Sequence, residues 1–246
     1  MLQTRGNKLT WLGHATFRIT TPSGKIIIVD PWIQGNPACP EALKKVDHVD
    51  TLLVTHGHFD HIADAVDLGK QHKPQTVAIY ETAVWLQSKD VPNTIGMNKG
   101  GTMKVGEIEI TMVTASHSCG ITDGDKIVYG GEAAGYIIRL PGGLNVYHAG
   151  DTAVFSDMKI IGDLYAPEVA LLPIGDFYTM GPKEAAYAIK LLGVKHVIPM
   201  HFGTFPALPG NPEGLREATK DIPGLEIHTL KPGESIGEAH AAGSKG

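Results

Sequence analysis

Three imidazoles and one carboxylate fall within six consecutive residues, in the motif His56-x-His58-x-Asp60-His61 that follows the apolar run 51–54. In an extended segment His56 and His58 project to the same side, because side chains alternate with period two, so both can contact one cation. Asp60 and His61 stand where a helix should begin, so their side chains leave in another direction. The motif therefore predicts a metal-binding loop at a strand end that serves two ions. The alternative, a solvated polar loop, is disfavoured because this motif seldom arises by chance.

Four ligands leave two metal ions incompletely coordinated, so further histidines and aspartates are expected at other strand ends. His117 follows a segment with period-two alternation, Asp151 follows the predicted strand 144–148, and His201 follows the buried run 196–200. Each candidate alone is weak, since a single histidine after a strand is more often a satisfied surface or core residue. Together the four segments predict one metal centre.

The order of these motifs resembles the metallo-β-lactamase superfamily over nearly the whole chain. Within that superfamily, the chain looks most like the small bacterial and archaeal metal-dependent hydrolases related to ascorbate-phosphate lactonase. The segments that carry this narrower resemblance are 11–17, 30–32, 35–37 and 200–204.

The resemblance implies an α/β fold of the four-layer αββα type, whereas periodicity alone indicates only mixed α/β structure. It also implies two divalent metal ions with seven ligands, which are His56, His58 and His117 on the first ion, Asp60, His61 and His201 on the second, and Asp151 on both. Zinc is the expected metal because imidazole and carboxylate suit it, and manganese, iron, cobalt and nickel are alternatives.

Three further residues are candidates for roles beside the metals. Asp30 ends an apolar strand, and the resemblance makes it the carboxylate that orients a ligand histidine; an aspartate that only begins the turn at Pro31 is an equal alternative. His14 and His148 flank ligand segments. Either could contact the substrate or a metal ligand, or could only satisfy local backbone groups, and either could donate a proton to the leaving oxygen.

Two close cations define the expected chemistry. Metals about 3.5–4 Å apart can share a water, lower its pKa towards neutrality and hold it as hydroxide facing a carbonyl or phosphoryl centre. Asp60 and Asp151 are expected to fix this water. The sequence has no Gly-x-Ser-x-Gly motif, which agrees with a nucleophile that is not a side chain. We therefore predict a dinuclear metal-dependent hydrolase of a small ester, lactone or phosphodiester.

Three alternative functions fit the sequence less well. A nuclease or RNA-processing phosphodiesterase on the same fold is disfavoured by the net charge of −5 and by the lack of a lysine and arginine cluster. A non-hydrolytic metal oxidoreductase of the diiron type is expected to carry glutamate at the position of His58. A metal-stabilised binding module would close each ion with four protein ligands, whereas the expected set leaves room for water.

Length and composition predict one metallo-β-lactamase-like domain over 1–237 and a flexible tail at 238–246. Residues 1–8 are polar, without the apolar segment of a signal peptide, and no apolar run approaches the roughly 20 residues that cross a membrane. Two cysteines fit a reducing compartment. We expect a cytoplasmic protein with a small-molecule substrate, no nucleic-acid partner and no membrane association, and leave a homo-oligomer open.

Short β-rich runs alternate with helices and place the candidate ligands at strand ends. The predicted strands are 8–13, 16–21, 25–30, 51–54, 76–79, 107–115, 127–129, 134–140, 144–148, 168–173, 195–200 and 225–228. The predicted helices lie near 60–72, 81–89, 153–165, 182–192 and 212–220.

Two loops, 116–135 and 175–181, are candidates for walls of the substrate site, with simple surface connections as the alternative. The remaining histidines have no partners at metal-ligand spacing in the sequence. We interpret them as surface residues, and they are His48, His72, His196, His228 and His240.

Overall fold

The computed structural model describes residues 2–238. The strands are β1 (Lys8–Gly13), β2 (Thr16–Thr20), β3 (Ile26–Val29), β4 (Thr51–Leu53), β5 (Gln75–Ile79), β6 (Thr94–Met97), β7 (Thr102–Val105), β8 (Ile108–Thr114), β9 (Gly120–Asp123), β10 (Lys126–Tyr129), β11 (Ala134–Arg139), β12 (Asn145–His148), β13 (Val169–Pro173), β14 (His196–Met200), β15 (Glu226–Ile227) and β16 (Ser235–Ile236). The helices are α1 (Glu41–Lys44), α2 (Phe59–Ile62), α3 (Ala65–His72), α4 (Tyr80–Ser88), α5 (Met158–Tyr165), α6 (Pro182–Leu192) and α7 (Pro212–Ala218), with a 3₁₀ turn at Pro141–Gly143.

The described strands form two seven-stranded sheets and one separate hairpin. The first sheet has the order β16-β1-β2-β3-β4-β5-β6, and β3 to β6 run parallel. The second sheet has the order β15-β14-β13-β12-β11-β8-β7, and β12 to β15 run parallel. The hairpin pairs β9 with β10.

Three apolar clusters show how the sheets and helices are layered. The central cluster joins the facing sides of the two sheets, with Phe17 from the first and Tyr136 from the second. The outer side of the first sheet packs on helices through residues such as Leu86, and that of the second through residues such as Ile189. These layers confirm the predicted four-layer αββα sandwich.

Strand direction brings the candidate ligands to one edge. Because β8 and β12 are both antiparallel to β11, they run parallel to each other, and their carboxyl ends meet those of β13 and β14. In the first sheet the parallel strands β3 and β4 end beside one another. The segments that follow these strands therefore converge at one end of the sandwich, as ligand-binding segments do in sheets of this kind.

The predicted helix 60–72 is wrong as one element, since it divides into α2 and α3 around Ala63 and Asp64. The Asp64 carboxylate accepts hydrogen bonds from the backbone N–H groups of Ile33 and Gln34, and its own N–H donates to the Pro31 carbonyl. These tertiary bonds hold Asp64 away from a continuous helix. The predicted helix 153–165 begins only at Met158.

Four short strands escaped the sequence prediction, namely β6, β7, β9 and β16. The first two lie at or next to a sheet edge, and β16 has only two residues. Residues 116–135, predicted as a loop apart from 127–129 and 134–135, contain the whole β9–β10 hairpin. The predicted tail 238–246 lies, except for Glu238, outside the described residues.

Among the described helices, none is both long enough and apolar enough to cross a membrane.

Candidate metal centre

The motif between β4 and α3 places its four polar side chains around one point at the ligand-bearing edge. His56 and His61 are buried, whereas His58 and Asp60 are partly exposed. The helix α2 begins at Phe59, so Asp60 and His61 lie in its first turn and point away from the extended segment that carries His56. One short segment thus presents side chains in two directions, as its spacing predicts.

The first donor set consists of His56, His58 and His117. His56 Nε2 lies 3.0 Å from His58 Nδ1, and His117 Nε2 lies 3.3 Å from the same Nδ1 atom. Asp151 Oδ2 stands 4.0 Å from His56 Nε2 and 3.7 Å from His117 Nε2. Tetrahedral zinc with bonds of about 2.0–2.1 Å separates its ligands by roughly 3.3 Å, so these atoms surround a space of the right size.

The second donor set consists of Asp60, His61 and His201, and Asp151 belongs to it as well. Asp151 Oδ2 lies 3.3 Å from His61 Nε2 and 3.0 Å from His201 Nε2. Asp60 Oδ2 is 3.9 Å and 3.8 Å from the same two nitrogens. One carboxylate oxygen is therefore shared by both sets, which is the arrangement that a ligand bridging two ions requires.

Several buried polar atoms in the centre have no hydrogen-bond partner among the described residues. They include His61 Nε2, both ring nitrogens of His201, and Asp151 Oδ1. A buried polar atom without a partner costs about 1–3 kcal/mol. Because His61 Nε2 and His201 Nε2 face the interior of the second set, the donor chemistry fits a divalent cation there.

Asp30 supports one histidine in each donor set. Its Oδ2 accepts a hydrogen bond of 2.7 Å from His61 Nδ1, which leaves His61 Nε2 facing the second set. The Thr55 hydroxyl donates to the same Oδ2 at 2.7 Å, and His56 Nδ1 lies 3.0 Å from that hydroxyl, so His56 is oriented through Thr55. Such outer carboxylates fix the ring orientation of metal-ligating histidines.

His14 supports Asp60. Its Nε2 lies 2.8 Å from Asp60 Oδ2, and its Nδ1 lies 3.0 Å from the Thr204 hydroxyl. Burial lowers the pKa of His14 to about 4, despite the hydrogen bond to Asp60 that raises it. His14 is therefore neutral at physiological pH, donating to the carboxylate through Nε2 and accepting from Thr204 through Nδ1.

Three of these residues have an unusual backbone conformation. The φ angles of His14, Asp30 and His201 are 55°, 51° and 57°, in the left-handed region that residues with a side chain rarely adopt. Each follows a strand at the ligand-bearing edge. Strained backbone of this kind costs of order 1–3 kcal/mol and concentrates at functional sites.

The electrostatics of the two donor sets differ. Burial lowers the pKa values of His56, His58 and His117, and neighbouring histidines lower them further. For His61 burial also acts to lower the pKa, but the carboxylates of Asp151, Asp30 and Asp60 outweigh it and raise the pKa well above its ordinary value. The second set therefore attracts positive charge more strongly.

His148 lies away from the open part of the centre. Its Nε2 donates to the Ala15 carbonyl at 2.9 Å, and its Nδ1 accepts from the Gly150 N–H at 3.2 Å. Both ring nitrogens are thus used by the backbone, which favours a role in shaping the turn before Asp151 over the predicted proton transfer.

A cavity of about 740 Å³ opens onto both donor sets. Its floor includes His58, His117, Asp60, Asp151 and His201, and both predicted walls contribute to it, with Ser118 and Thr122 from one loop and Tyr178 from the other. A third wall, Phe205 to Ala207, was not predicted. It follows His201 closely in the chain, which is the only sequence signal that could have found it.

Comparisons with known proteins agree with this fold. The model of the beta-lactamase superfamily domain matches residues 25–202. A UPF0173 metal-dependent hydrolase of Koribacter versatilis is 58% identical over 231 residues, covering 94% of this chain and 98% of the relative. A UPF0173 metal-dependent hydrolase of Methanopyrus kandleri is 47% identical, covering 93% of this chain and 98% of the relative.

Among solved structures, Igni18, a metallo hydrolase from the archaeon Ignicoccus hospitalis, matches with a TM-score of 0.81 and 37% identity, covering 94% of this chain and 97% of that one. The range matched by the family model, 25–202, includes all seven donor residues. The chain therefore belongs to the metallo-β-lactamase superfamily and, within it, to the metal-dependent hydrolases.

Proposed function

We propose that this hydrolase binds two divalent ions, most favourably zinc, and cleaves a small uncharged ester or lactone. The observation that carries the proposal is the shared Asp151 Oδ2, which lies within 4.0 Å of a nitrogen of His56, His61, His117 and His201 at the floor of the cavity. When bound, a pair of ions supplies an activated water as nucleophile and polarises the carbonyl oxygen.

The protein's own residues hold this chemistry in place. Burial opposes the charge of Asp151, but His201 and His61 keep its pKa well below the ordinary value, so it is a carboxylate at any working pH. Burial likewise opposes the charge of Asp60, which His61 and His14 stabilise. Two fixed carboxylates can accept hydrogen bonds from water on the cavity side, which orients the attacking oxygen.

The cavity walls favour an uncharged, largely apolar substrate. Phe59, Tyr178 and Phe205 line the cavity beside Pro206 and Ala207, and within 2–238 no lysine or arginine lines it. Phosphate groups are usually held by arginine or lysine, and the hydroxyls of Ser118, Thr122 and Tyr178 in these walls supply hydrogen bonds but no positive charge. An acyl chain, in contrast, gains about 25 cal/mol for each Å² removed from water.

A phosphodiester is the second candidate, and the charge of the centre supports it. Two divalent ions and the two carboxylates of Asp60 and Asp151 would leave a formal charge of about +2, which can attract one anionic group. Nucleic acid is a poorer candidate, because the chain has a net charge of −5 and a polyanion needs several cationic contacts. Both described cysteines are free, which fits the proposed cytoplasmic location.

A substrate series separates the candidates. We expect hydrolysis of p-nitrophenyl esters and γ-lactones, with kcat/KM rising as the acyl chain lengthens to fill the cavity, and lower activity on bis-p-nitrophenyl phosphate. Phe205→Ala should lower kcat/KM roughly tenfold for the longest ester and little for acetate, since it removes part of the apolar wall. Tyr187→Ala, an exposed aromatic on α6, is the matched control. Preference for the phosphodiester, unchanged by Phe205→Ala, would favour the second candidate.

A further inference from the structure

A second histidine cluster lies at the opposite end of β14. His196 begins that strand, and His201 follows its other end. At about 3.3 Å per residue, five residues separate the two by roughly 16 Å. The cluster consists of His196, Glu226 and His228, and it corrects the interpretation of the two histidines as surface residues without partners. His240, from the same group, lies outside the described residues.

The pairing register of β14 and β15 brings the three residues of this cluster together. His196 on β14 is the direct partner of Glu226 on β15, and the N–H of His228 donates to the Val197 carbonyl, so the pairing continues past the end of β15. Glu226 and His228 are two residues apart and project to the same side, because side chains alternate along a strand. Ile227 between them packs on the opposite, helix-covered face of the sheet.

The donor atoms of the cluster have the spacing of a metal site. His196 Nδ1 lies 3.2 Å from His228 Nε2 and 3.7 Å from Glu226 Oε2, and the distance from His228 Nε2 to Glu226 Oε2 is 4.0 Å. A tetrahedral ion with bonds of about 2.0–2.2 Å places its ligands roughly 3.3–3.5 Å apart. Movements of a few tenths of an ångström would therefore bring all three atoms into contact with one ion.

The two imidazoles of the cluster are partly exposed, and Glu226 takes part in a further polar interaction. The side chains of His196 and His228 are 17% and 20% exposed, and that of Glu226 is 44% exposed, so the cluster is fixed at its base and open to solvent on one side. Burial and the neighbouring His196 lower the pKa of His228, which keeps its imidazole neutral. A neutral imidazole retains the lone pair that a metal needs.

We propose that His196, Glu226 and His228 form a second transition-metal site, separate from the catalytic centre, that takes zinc or a similar divalent ion and fastens β15 to the sheet. Two imidazoles and one carboxylate suit zinc, cobalt, nickel and copper rather than magnesium or calcium. A bound metal would stabilise the position of β15, which pairs with β14 through only two residues at the edge of the second sheet.

The experiment compares zinc binding by metal-free wild-type protein, His228→Ala and Glu226→Gln. His48→Ala is the matched control, because His48 lies 3.0 Å from one carboxylate, Asp50, and belongs to none of the candidate metal clusters among the described residues. Wild type and the control should bind one more equivalent of zinc than His228→Ala, and Glu226→Gln should bind that equivalent at least tenfold more weakly. The rate of ester hydrolysis should be the same in all four proteins.

Hydrogen exchange provides the second readout. Zinc should slow exchange of the backbone amides at 226–228 in the wild type and in His48→Ala, but not in His228→Ala, whose catalytic centre is intact. Equal zinc stoichiometry in wild type and His228→Ala, or equal protection of 226–228 in both, would overturn the proposal and leave a hydrogen bond between two imidazoles in its place. Hydrolysis by Asp151→Ala tests the catalytic centre, and its loss would not depend on the zinc stoichiometry or on the protection of 226–228.

Discussion

Asp30 connects the two donor sets at the level of single residues. It accepts from His61 directly and holds His56 through the Thr55 hydroxyl, so one buried carboxylate orients one histidine in each donor set. His14 does the same for Asp60. The ligand geometry is therefore set before any metal binds, which limits the reorganisation that binding requires.

The first prediction concerns His14. His14→Ala should weaken metal binding by the second donor set by about 10–100-fold and leave the first set nearly unchanged, because Asp60 loses the donor that orients it. His14→Gln, whose amide can still donate to Asp60, should retain most of the affinity. Competition with a chelator, combined with metal counting, measures the effect. Wild-type affinity and hydrolysis rate in His14→Ala would contradict it.

The second prediction concerns pH. In the metal-free protein His61 has a raised pKa and keeps an extra proton at neutral pH, whereas His56, His58 and His117 have lowered pKa values and are neutral. A metal in the second set must displace that proton, so affinity there should fall steeply as the pH is lowered from 8 to 6. The first set should change little in this window.

The pH dependence of metal affinity can be measured for each donor set separately, in variants that retain only one intact set. His58→Ala should retain the steep pH dependence of the second set, and His61→Ala should retain the shallow dependence of the first, both measured by chelator competition at pH 6, 7 and 8. Equal slopes in the two variants would show that the carboxylates around His61 do not set its protonation.

Contacts between residues close in the chain were predicted from the sequence better than contacts between distant residues. The spacing from His56 to His61 identified four candidate ligands because they share one segment. The contact between His196 and His228 depends on the register of two strands separated by thirty residues, which spacing cannot reveal. The use of both His148 nitrogens by Ala15 and Gly150 depends on how two sheets meet, and was likewise invisible.

At the level of elements, the turn between β12 and Asp151 has little space. Gly150 has a φ of 63°, and a Cβ there would lie 2.6 Å from the Ala134 carbonyl oxygen and 3.0 Å from Thr55 Cβ. The turn therefore needs both the conformational freedom and the small size of glycine. Because Asp151 comes next, the position of the shared carboxylate depends on this turn.

The third prediction tests that dependence. Gly150→Ala should reduce hydrolysis and metal content and should destabilise the protein by more than the roughly 1–2 kcal/mol expected for left-handed backbone alone. Gly193→Ala is the matched control, since Gly193 has a φ of 66° with no atom within 4 Å of an added Cβ. It should cost only that strain and keep full activity. Denaturant unfolding and metal analysis measure both, and equal effects in the two variants would refute the argument.

Elements with strong local patterns were predicted well, and those fixed by tertiary bonds were not. The helix α6 occupies its predicted range because Pro182 starts it and Gly193 ends it in a left-handed conformation. The division between α2 and α3 depends on hydrogen bonds from Ile33 and Gln34 to Asp64, residues about thirty positions away. The local pattern of apolar and polar residues cannot indicate a hydrogen bond between residues so far apart in the chain.

At the level of the whole molecule, two sheets contribute different parts of one centre. The first sheet and its loops provide His56, His58, Asp60 and His61, and the second provides His117, Asp151 and His201. The layered fold was predicted only through the family resemblance, because strand patterns alone do not show which sheet edges meet. The two donor sets therefore come together only when the sandwich is assembled, and on our proposal Asp151 is the donor that they share.

The most direct test of the central claim is anomalous diffraction from zinc-loaded crystals of wild type and Asp151→Ala, together with zinc content and ester hydrolysis in solution. In wild type we expect two zinc peaks about 3.5–4 Å apart, one among His56, His58 and His117 and the other among Asp60, His61 and His201. Asp151→Ala should fold, lose occupancy at both positions and lose hydrolysis. A single peak in wild type, or full zinc content and a wild-type rate in Asp151→Ala, would contradict a dinuclear centre bridged by this carboxylate.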